Sequence, residues 1–268
     1  MGSGSAPVRY AVRAVALGYV ALLLVVPLAL IVWRTFQHGV APFVAAISTP
    51  EAVHALVVTL EVAGSALVLN TVFGVGVALL LTRHDFPGRR VLDALVDLPV
   101  AVSPVVVGLA LVLVYGKFAP LGGWLDRHGV QVLFSVPGMV LATAFISLPL
   151  VVRAVAPVLE EAGEEQEQAA QTLGAGALQT FRRITVPVIS GALGYGTVLC
   201  FARAIGEYGA VAVVSGRLVG QTQTLPLYVE ERFQNFDQPA AFAVATLLAA
   251  IAAVALVATR LLRSRGRA

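Results

Sequence analysis

Residues 160–187 read EEAGEEQEQAAQTLGAGALQTFRRITVP and form the only long polar segment inside a chain that is otherwise strongly apolar. Carboxylates dominate the first half of the segment, glycines interrupt its centre, and Arg182 and Arg183 lie near its end. Apolar runs flank it on both sides. A structured polar insert between apolar spans is available for contact with a soluble partner. We therefore expect this segment to determine what the chain docks against.

The composition is that of an integral membrane protein. Of the 268 residues, 58% are hydrophobic and 12% are charged, and the mean hydropathy is +0.88. A soluble domain is usually about a quarter charged. The net charge of +3 is too small to indicate binding to nucleic acid. We therefore expect contacts with membrane lipid and none with nucleic acid.

The sequence holds no pattern that is typical of a catalytic or metal site. Cys200 is the single cysteine, and the four histidines are scattered without metal-ligand spacing. The apolar runs hold no histidine near a serine and no His-Glu-x-x-His, which disfavours a membrane-embedded protease. A Gly-x-x-x-x-Gly-Lys-[Ser/Thr] phosphate loop is also missing. We expect a non-catalytic chain that binds no metal or cofactor itself.

Six apolar segments are long enough to cross a bilayer, which takes about 20 residues as a helix. They are residues 14–33, 54–81, 92–115, 132–152, 188–206 and 240–261. The first exceeds the core of a secretory signal, about 7–15 residues, so we interpret it as a retained span. The sequence thus predicts an all-α bundle of six transmembrane helices within residues 14–262, with terminal tails at 1–13 and 263–268.

The distribution of basic residues predicts the orientation. With a cytoplasmic N-terminus, the six spans place 12 of the 18 Lys and Arg residues inside and five outside, while Arg203 lies within a span. An excess of basic residues in the cytoplasm is the usual bias of membrane proteins. We therefore expect both termini and the polar segment to be cytoplasmic.

Small residues and prolines suggest how the spans pack. Small residues four positions apart let helix backbones approach closely, and four such pairs occur: Gly74 and Ala78, Ala192 and Gly196, Ala202 and Gly206, and Gly206 and Ala210. The third span contains Pro99 and Pro104, which break helical hydrogen bonding. These prolines indicate either a simple kink or a broken helix that lines a pathway.

The polar segment itself predicts two short helices. Residues 160–173 are good helix formers with acidic residues early, where the helix dipole favours them. Residues 174–176 break the pattern, since glycine commonly follows a helix end. Residues 177–184 form the second predicted helix, and Pro187 suits the first turn of the fifth span. The first helix has a narrow face of small and apolar side chains that would fit a cleft on a partner; it comprises Ala169, Ala170 and Leu173.

The spacing within this segment resembles the EAA loop of ABC-importer permeases. That family has Glu-Ala-Ala, three residues, Gly, nine residues and Ile-x-Leu-Pro. Here Gln168 begins Gln-Ala-Ala, Gly174 follows after three residues, and Ile184 to Pro187 follow after nine more. Gln168 replaces the family's glutamate and loses its charge, although Glu167 is adjacent, and Val186 replaces its leucine.

Further motifs along the chain resemble the sulfate/thiosulfate branch of this family, and within it the W-type subunits. They are residues 86–89 (FPGR), 97–99 (DLP), 103–106 (SPVV), 202–210 (ARAIGEYGA), 213–216 (VVSG) and 221–226 (QTQTLP). Molybdate and tungstate permeases share the Gly-Glu-aromatic-Gly-Ala element. A molybdate or tungstate importer is therefore the alternative that the resemblance leaves open.

The resemblance implies a type I ABC importer permease fold in the bacterial inner membrane, with residues 154–187 as a cytoplasmic coupling loop. An ATP-binding subunit dimer would bind this loop and consume ATP and Mg²⁺. A second, T-type permease would complete a heterodimer, whereas the molybdate alternative fits a homodimer better. A periplasmic or extracellular sulfate-binding protein would deliver the ion. The residues implied in coupling are Glu167, Gln168, Ala169, Ala170, Leu173, Gly174, Ile184 and Pro187.

Charges within the apolar runs are candidates for the translocation pathway. Arg203 and Glu207 are four residues apart and therefore lie on one helix face. Ionisable residues at membrane depth are costly and commonly functional. The pair either attracts and holds a dianion or only fixes helix packing. Ser103, Pro104 and Tyr208 complete the set of candidate pathway residues.

Two further carboxylates, Asp93 and Asp97, lie near the inner end of the third span. Compensation of the helix dipole is the simpler interpretation of their position. Arg153 is also able to neutralise either one.

Overall fold

The computed structural model describes residues 6–265, with side chains described from 10 to 258. The remaining residues of the predicted tails, 1–5 and 266–268, lie outside the described part. The helices are α1 (Ala6–Val20), α2 (Val26–Phe36), α3 (Val40–Ile47), α4 (Pro50–Arg83), α5 (Arg89–Ala101), α6 (Pro104–Tyr115), α7 (Pro120–Arg127), α8 (Val136–Ala162), α9 (Glu165–Thr172), α10 (Ala177–Thr180), α11 (Val186–Ile205), α12 (Gly209–Val214), α13 (Leu225–Gln234) and α14 (Gln238–Arg265). Short π-helical turns, Ala21–Val25 and Phe181–Thr185, join α1 to α2 and α10 to α11.

Among the described residues, five continuous helices are long and apolar enough to cross a membrane, and α5 with α6 forms a sixth span if the pair is counted as one. This agrees with the six predicted spans. The axes of α5 and α6 differ by 115°, and the break lies at Val102 and Ser103. The third span is therefore sharply broken rather than mildly kinked. Pro104 begins α6, where its missing N–H costs no helical hydrogen bond.

Helix α8 is the centre of the bundle. Its most apolar stretch is 61% buried, against 33% or less in the other continuous spans. Helices α4 and α11 pack against it, and its buried side chains include Val151, Val155 and Leu159. In contrast, no residue is buried in the corresponding stretch of Tyr10–Phe36. The first span therefore lies at the periphery, where lipid or another chain covers it.

Two glycines allow α4 and α11 to approach α8 closely. A Cβ atom added to Gly74 would lie 2.9 Å from the Cβ of Val151, and one added to Gly196 would lie 2.9 Å from the Cβ of Ala154. These contacts confirm the close helix approach predicted at Gly74 in the second span and at Gly196 in the fifth. Gly206 is exposed, so the predicted close contact at that glycine is wrong: the chain leaves the helix at this point.

A buried polar contact links the same three helices. The side-chain amide of Asn70 in α4 donates to Ser147 Oγ in α8 at 2.9 Å and lies 3.4 Å from Cys200 Sγ in α11. Polar contacts between helices contribute about 0.6–2 kcal/mol in membrane proteins. Together with the glycine contacts, this fixes α4, α8 and α11 as one packed unit.

We expect a leucine at Gly196 to lower stability because its side chain would overlap α8. Overpacking of this kind costs roughly 1–3 kcal/mol. Gly191 provides a matched control on the same helix, since an added Cβ there meets no atom within 4 Å. Thermal unfolding in detergent should show a lower midpoint for Gly196→Leu and an unchanged midpoint for Gly191→Leu. Equal midpoints for the two variants would contradict the packing described.

Candidate functional site

The first half of the polar segment contains one short exposed helix, α9 (Glu165–Thr172), instead of the longer helix predicted over residues 160–173. Helix α8 continues to Ala162, so the carboxylates of Glu160 and Glu161 belong to the end of the fourth span. Gly163 then turns the chain with a φ of +65°, and α9 follows. The prediction failed because polarity alone does not distinguish a helix that leaves the membrane from a new helix beyond it.

A glycine-dependent cap ends α9. The N–H of Gly174 donates to the carbonyl of Gln171 at 2.9 Å, and the N–H of Ala175 donates to that of Ala170 at 3.0 Å. This is the Schellman arrangement, in which the residue after the helix adopts a left-handed conformation that favours glycine. Gly174 has a φ of +88°. Its predicted role as a helix breaker is therefore confirmed.

The second predicted helix is not separate from the fifth span. Residues Ala177–Ile205 form one continuous helix of 29 residues. Pro187 lies within this helix rather than at its start, and the π turn Phe181–Thr185 directly precedes Val186. A proline ring clashes with the carbonyl four residues earlier, and a wide turn at that place accommodates it. The part of the polar segment from Ala177 onward and the fifth span are thus one stiff element.

Glu167 fixes α9 to the bundle. Its Oε2 lies 3.1 Å from Arg83 Nε, and its Oε1 accepts from Thr185 Oγ1 at 2.8 Å. Gln168 is exposed and donates only to its helical neighbour Glu164, at 3.2 Å. The ion pair thus lies at Glu167, immediately before the position where Gln168 replaces glutamate. The sequence offered no signal for Arg83 or Thr185 because they are distant along the chain.

The tip of the segment exposes apolar side chains. Leu173 is 89% exposed and Leu178 is 69% exposed, on either side of the turn at residues 174–176. Ala169 and Pro187 are also exposed, while Ala170 and Ile184 are half-buried. Two leucines so exposed on an otherwise polar loop make this tip the candidate contact surface of the segment. Sequence reasoning missed Leu178, although its position beside the glycine turn was visible.

The candidate pathway charges form an ion pair at the other end of the continuous helix. Arg203 Nη1 lies 2.7 Å from Glu207 Oε2, and Glu207 Oε1 accepts from the N–H of Ala210 at 3.1 Å. The side chain of Glu207 is only 2% exposed, whereas that of Arg203 is 40% exposed. Glu207 therefore holds the start of α12, and Arg203 faces outward from the packed core.

The remaining pathway candidates meet at the same place. An added Cβ on Gly209 would lie 2.9 Å from the Cβ of Pro104, so the start of α12 touches the break of the third span. Ser103 and Tyr208 are both exposed beside this contact. Two interruptions of helical structure thus lie against each other. Irregular backbone at membrane depth is tolerated where protein or a water-filled cavity surrounds it.

A second ion-pair cluster joins the first half of the broken span to α8. Arg153 binds both oxygens of Asp97, at 2.8 and 2.7 Å, and lies 2.7 Å from Asp93 Oδ1. Dipole compensation, the simpler interpretation of these carboxylates, is wrong. Helix α5 begins at Arg89, so neither carboxylate lies in its first turn, and both neutralise Arg153 instead.

Comparisons with known proteins give one family. The sequence pattern of the binding-protein-dependent transport system inner membrane component family matches residues 70–267. The chain is 47% identical over 258 residues to the sulfate transport system permease protein CysW of Synechocystis sp., covering 96% of this chain and 94% of that protein. It is 41% identical to CysT of Salmonella typhimurium, covering 92% and 89%. The fold matches a subunit of a bacterial ABC transporter that imports alginate, with a TM-score of 0.78, 19% identity and coverage of 96% and 95%.

We expect Arg203→Met to destabilise the protein because it leaves the buried carboxylate of Glu207 without its partner. Removing one member of a buried pair costs about 3 kcal/mol or more, whereas replacing both members is often neutral. The half-exposed position of Arg203 reduces this cost. Thermal unfolding in detergent should show the lowest midpoint for Arg203→Met and partial recovery in Arg203→Met/Glu207→Gln. A double variant less stable than the single one would contradict the pairing.

Proposed function

Because this chain belongs to the binding-protein-dependent transport system inner membrane component family, we propose that it is the membrane-spanning permease subunit of an ATP-driven sulfate importer. The observation that carries this proposal is the exposed loop around Leu173 and Leu178, which continues directly into the fifth span. Relatives named as sulfate permeases supply the substrate class. Thiosulfate, a dianion of similar size and charge, belongs to the same proposal.

The loop at residues 163–176, which contains Leu173, and the nearby Leu178 serve as the docking surface for a separate ATPase subunit. This chain supplies no phosphate loop, so a dimer of partner subunits binds and hydrolyses ATP with Mg²⁺. The leucines and small side chains carry the contact, since Gln168 brings no charge. The residues assigned to coupling are those predicted from the sequence, together with Leu178.

The continuous helix Ala177–Ile205 connects that docking surface to the pathway. From its first residue to Arg203 it measures about 40 Å, at 1.5 Å per residue. A displacement at Leu178 therefore moves Arg203 as part of the same stiff body. Rigid-body movement about a packed interface is a common way to alternate access in transporters.

Arg203 attracts the anion as it passes, and Glu207 holds the arginine in place. An exposed guanidinium at membrane depth is costly beside lipid, so water or a second subunit has to face it. The ion pair with Glu207 partly neutralises the charge of Arg203, and this keeps the attraction weak enough for the anion to leave. Ser103, Pro104 and Tyr208 line the same region.

A second permease subunit covers this face. The names CysW and CysT belong to two distinct relatives, which favours a heterodimer of a W-type and a T-type chain. The family's own description supports an external binding protein as the source of the ion. Both termini are cytoplasmic in this proposal. This orientation is supported by the basic residues near the loop, since basic residues are in excess on the cytoplasmic side; they include Arg83, Arg89, Arg90 and Arg153.

Replacing Gly174 with valine should abolish sulfate uptake and recruitment of the ATPase while the permease still inserts. Valine is strained at a φ of +88°, so the Schellman cap and the turn between the leucines would be lost. Gly39→Val is the matched control, because Gly39 has a similar φ of +94° with open space around it and lies outside the docking surface. The measurements are uptake of labelled sulfate and co-purification of the ATPase with the permease. A Gly174→Val permease that still transports and retains its ATPase would refute the docking role.

Sulfate uptake tests the substrate class. Proteoliposomes holding the purified complex and its cognate binding protein should accumulate labelled sulfate only with ATP inside. We expect unlabelled sulfate and thiosulfate to compete at equal concentration, and molybdate and tungstate to compete weakly. Strong competition by molybdate or tungstate, with little by thiosulfate, would favour the alternative importer.

A further inference from the structure

Arg83 is placed to act on the docking loop although it is not part of it. It is the last residue of α4, and its side chain is only 10% exposed. Its guanidinium donates to three acceptors: Nε to Glu167 Oε2 at 3.1 Å, Nη1 to the carbonyl of Leu159 at 2.9 Å, and Nη2 to the carbonyl of Gly163 at 2.8 Å. A single side chain thus joins α4, the end of α8 and α9.

The two carbonyl contacts lie in the last turn of α8, at Leu159, and directly after it, at Gly163. The last carbonyls of a helix have no partner within it, and a cation is favoured there by the helix dipole. Arginine suits the position because its planar guanidinium offers five donors in a fixed arrangement, whereas lysine is a point charge. Arg83 therefore fixes the position at which the chain leaves α8 and enters the loop.

The contact through Glu167 extends to the helix that carries the pathway charge. The second oxygen of this carboxylate binds Thr185, which is buried in the π turn of Ala177–Ile205. Arg83 and Thr185 thus hold Glu167 from two sides. We call Arg83, Glu167 and Thr185 the clasp.

Helix α9 has few other attachments. It has eight residues, none of which is buried. Gly163 and Gly174, both with positive φ, lie on either side of it. Glycine offers little resistance to rotation at such points. Without the clasp, a force applied to α9 would turn it on these glycines instead of moving the spans.

We propose that Arg83 is a positioning residue for energy coupling: through the clasp it makes α9 move as one body with α4, α8 and the Ala177–Ile205 helix. The inference rests on the proposed docking role of the loop. In this proposal, Arg83 helps to transmit the movement of the ATPase to the membrane spans, and it binds neither the ATPase nor sulfate.

Hydrogen–deuterium exchange on the purified full-length complex tests the clasp without any transport assay. In Arg83→Gln we expect the amides of α9 to exchange roughly tenfold faster, while those of α8 in the membrane keep their protection. Arg89→Gln is the matched control, because Arg89 lies six residues after Arg83 in the sequence and its side chain pairs with the exposed Asp85, at 2.6 Å. Unchanged exchange of α9 in Arg83→Gln, or equal acceleration in Arg89→Gln, would overturn the proposal.

The ratio of sulfate imported to ATP hydrolysed tests whether the loss of the clasp uncouples transport from ATP hydrolysis. In proteoliposomes with binding protein, Arg83→Gln should lower the sulfate imported per ATP hydrolysed roughly fivefold. The ATPase should remain bound, and the concentration of binding protein that gives half-maximal rate should be unchanged. Glu167→Gln should have a smaller effect because the two carbonyl contacts of Arg83 remain. The double variant should resemble Arg83→Gln alone, since neighbours in one network are not additive.

A merely structural role would lower uptake and ATP hydrolysis together and leave their ratio unchanged, which contradicts the proposal. Additive losses in the double variant contradict it as well. Failure of the proposed function is a separate result: the unmodified complex would then bind no ATPase or import no sulfate. Exchange of α9 still decides whether the clasp holds the loop in that case.

Discussion

The continuity of the helix Ala177–Ile205 is the constraint on which the rest of the structure depends. Backbone groups in lipid have to be satisfied within the chain, and an uninterrupted helix achieves this while remaining stiff. Here the helix begins in the polar loop and ends beside the Arg203 and Glu207 pair. The π turn before Pro187 preserves that continuity where a proline would otherwise break it. One element therefore carries both the docking surface and the candidate pathway.

The contacts around this helix divide the protein into a rigid part and a jointed part. Gly74 and Gly196 bring α4 and α11 against α8, and Arg153 holds α5 to the same helix through Asp93 and Asp97. The joint lies elsewhere, at the break of the third span before Pro104. A transporter needs this combination, because tightly packed elements move as bodies and irregular connections absorb the change in angle.

Sequence reasoning recovered what depends on composition and local chemistry. Six apolar runs, the turn at Gly174 and the spacing up to Pro187 were sufficient to predict the bundle and its exposed loop. The end of α8 was mispredicted, because Glu160 and Glu161 are polar and yet continue the same helix to Ala162. The contact between Arg83 and Glu167 was beyond reach, since the two residues are distant along the chain. The pairing of Arg153 with Asp93 and Asp97 was one of two possibilities, and only the packing of α5 against α8 decides between them.

Whether the Ala177–Ile205 helix stays straight during the ATP cycle can be measured as a distance along it. Spin labels at Gln179 and Ala202, introduced after Cys200→Ala, would be about 35 Å apart along the helix. A stiff helix gives one narrow distance that is the same without nucleotide and with ATP bound, while distances from Gln179 to the second permease change. A distance between Gln179 and Ala202 that shortens or broadens with ATP would show that the helix bends, and would contradict transmission through a single stiff element.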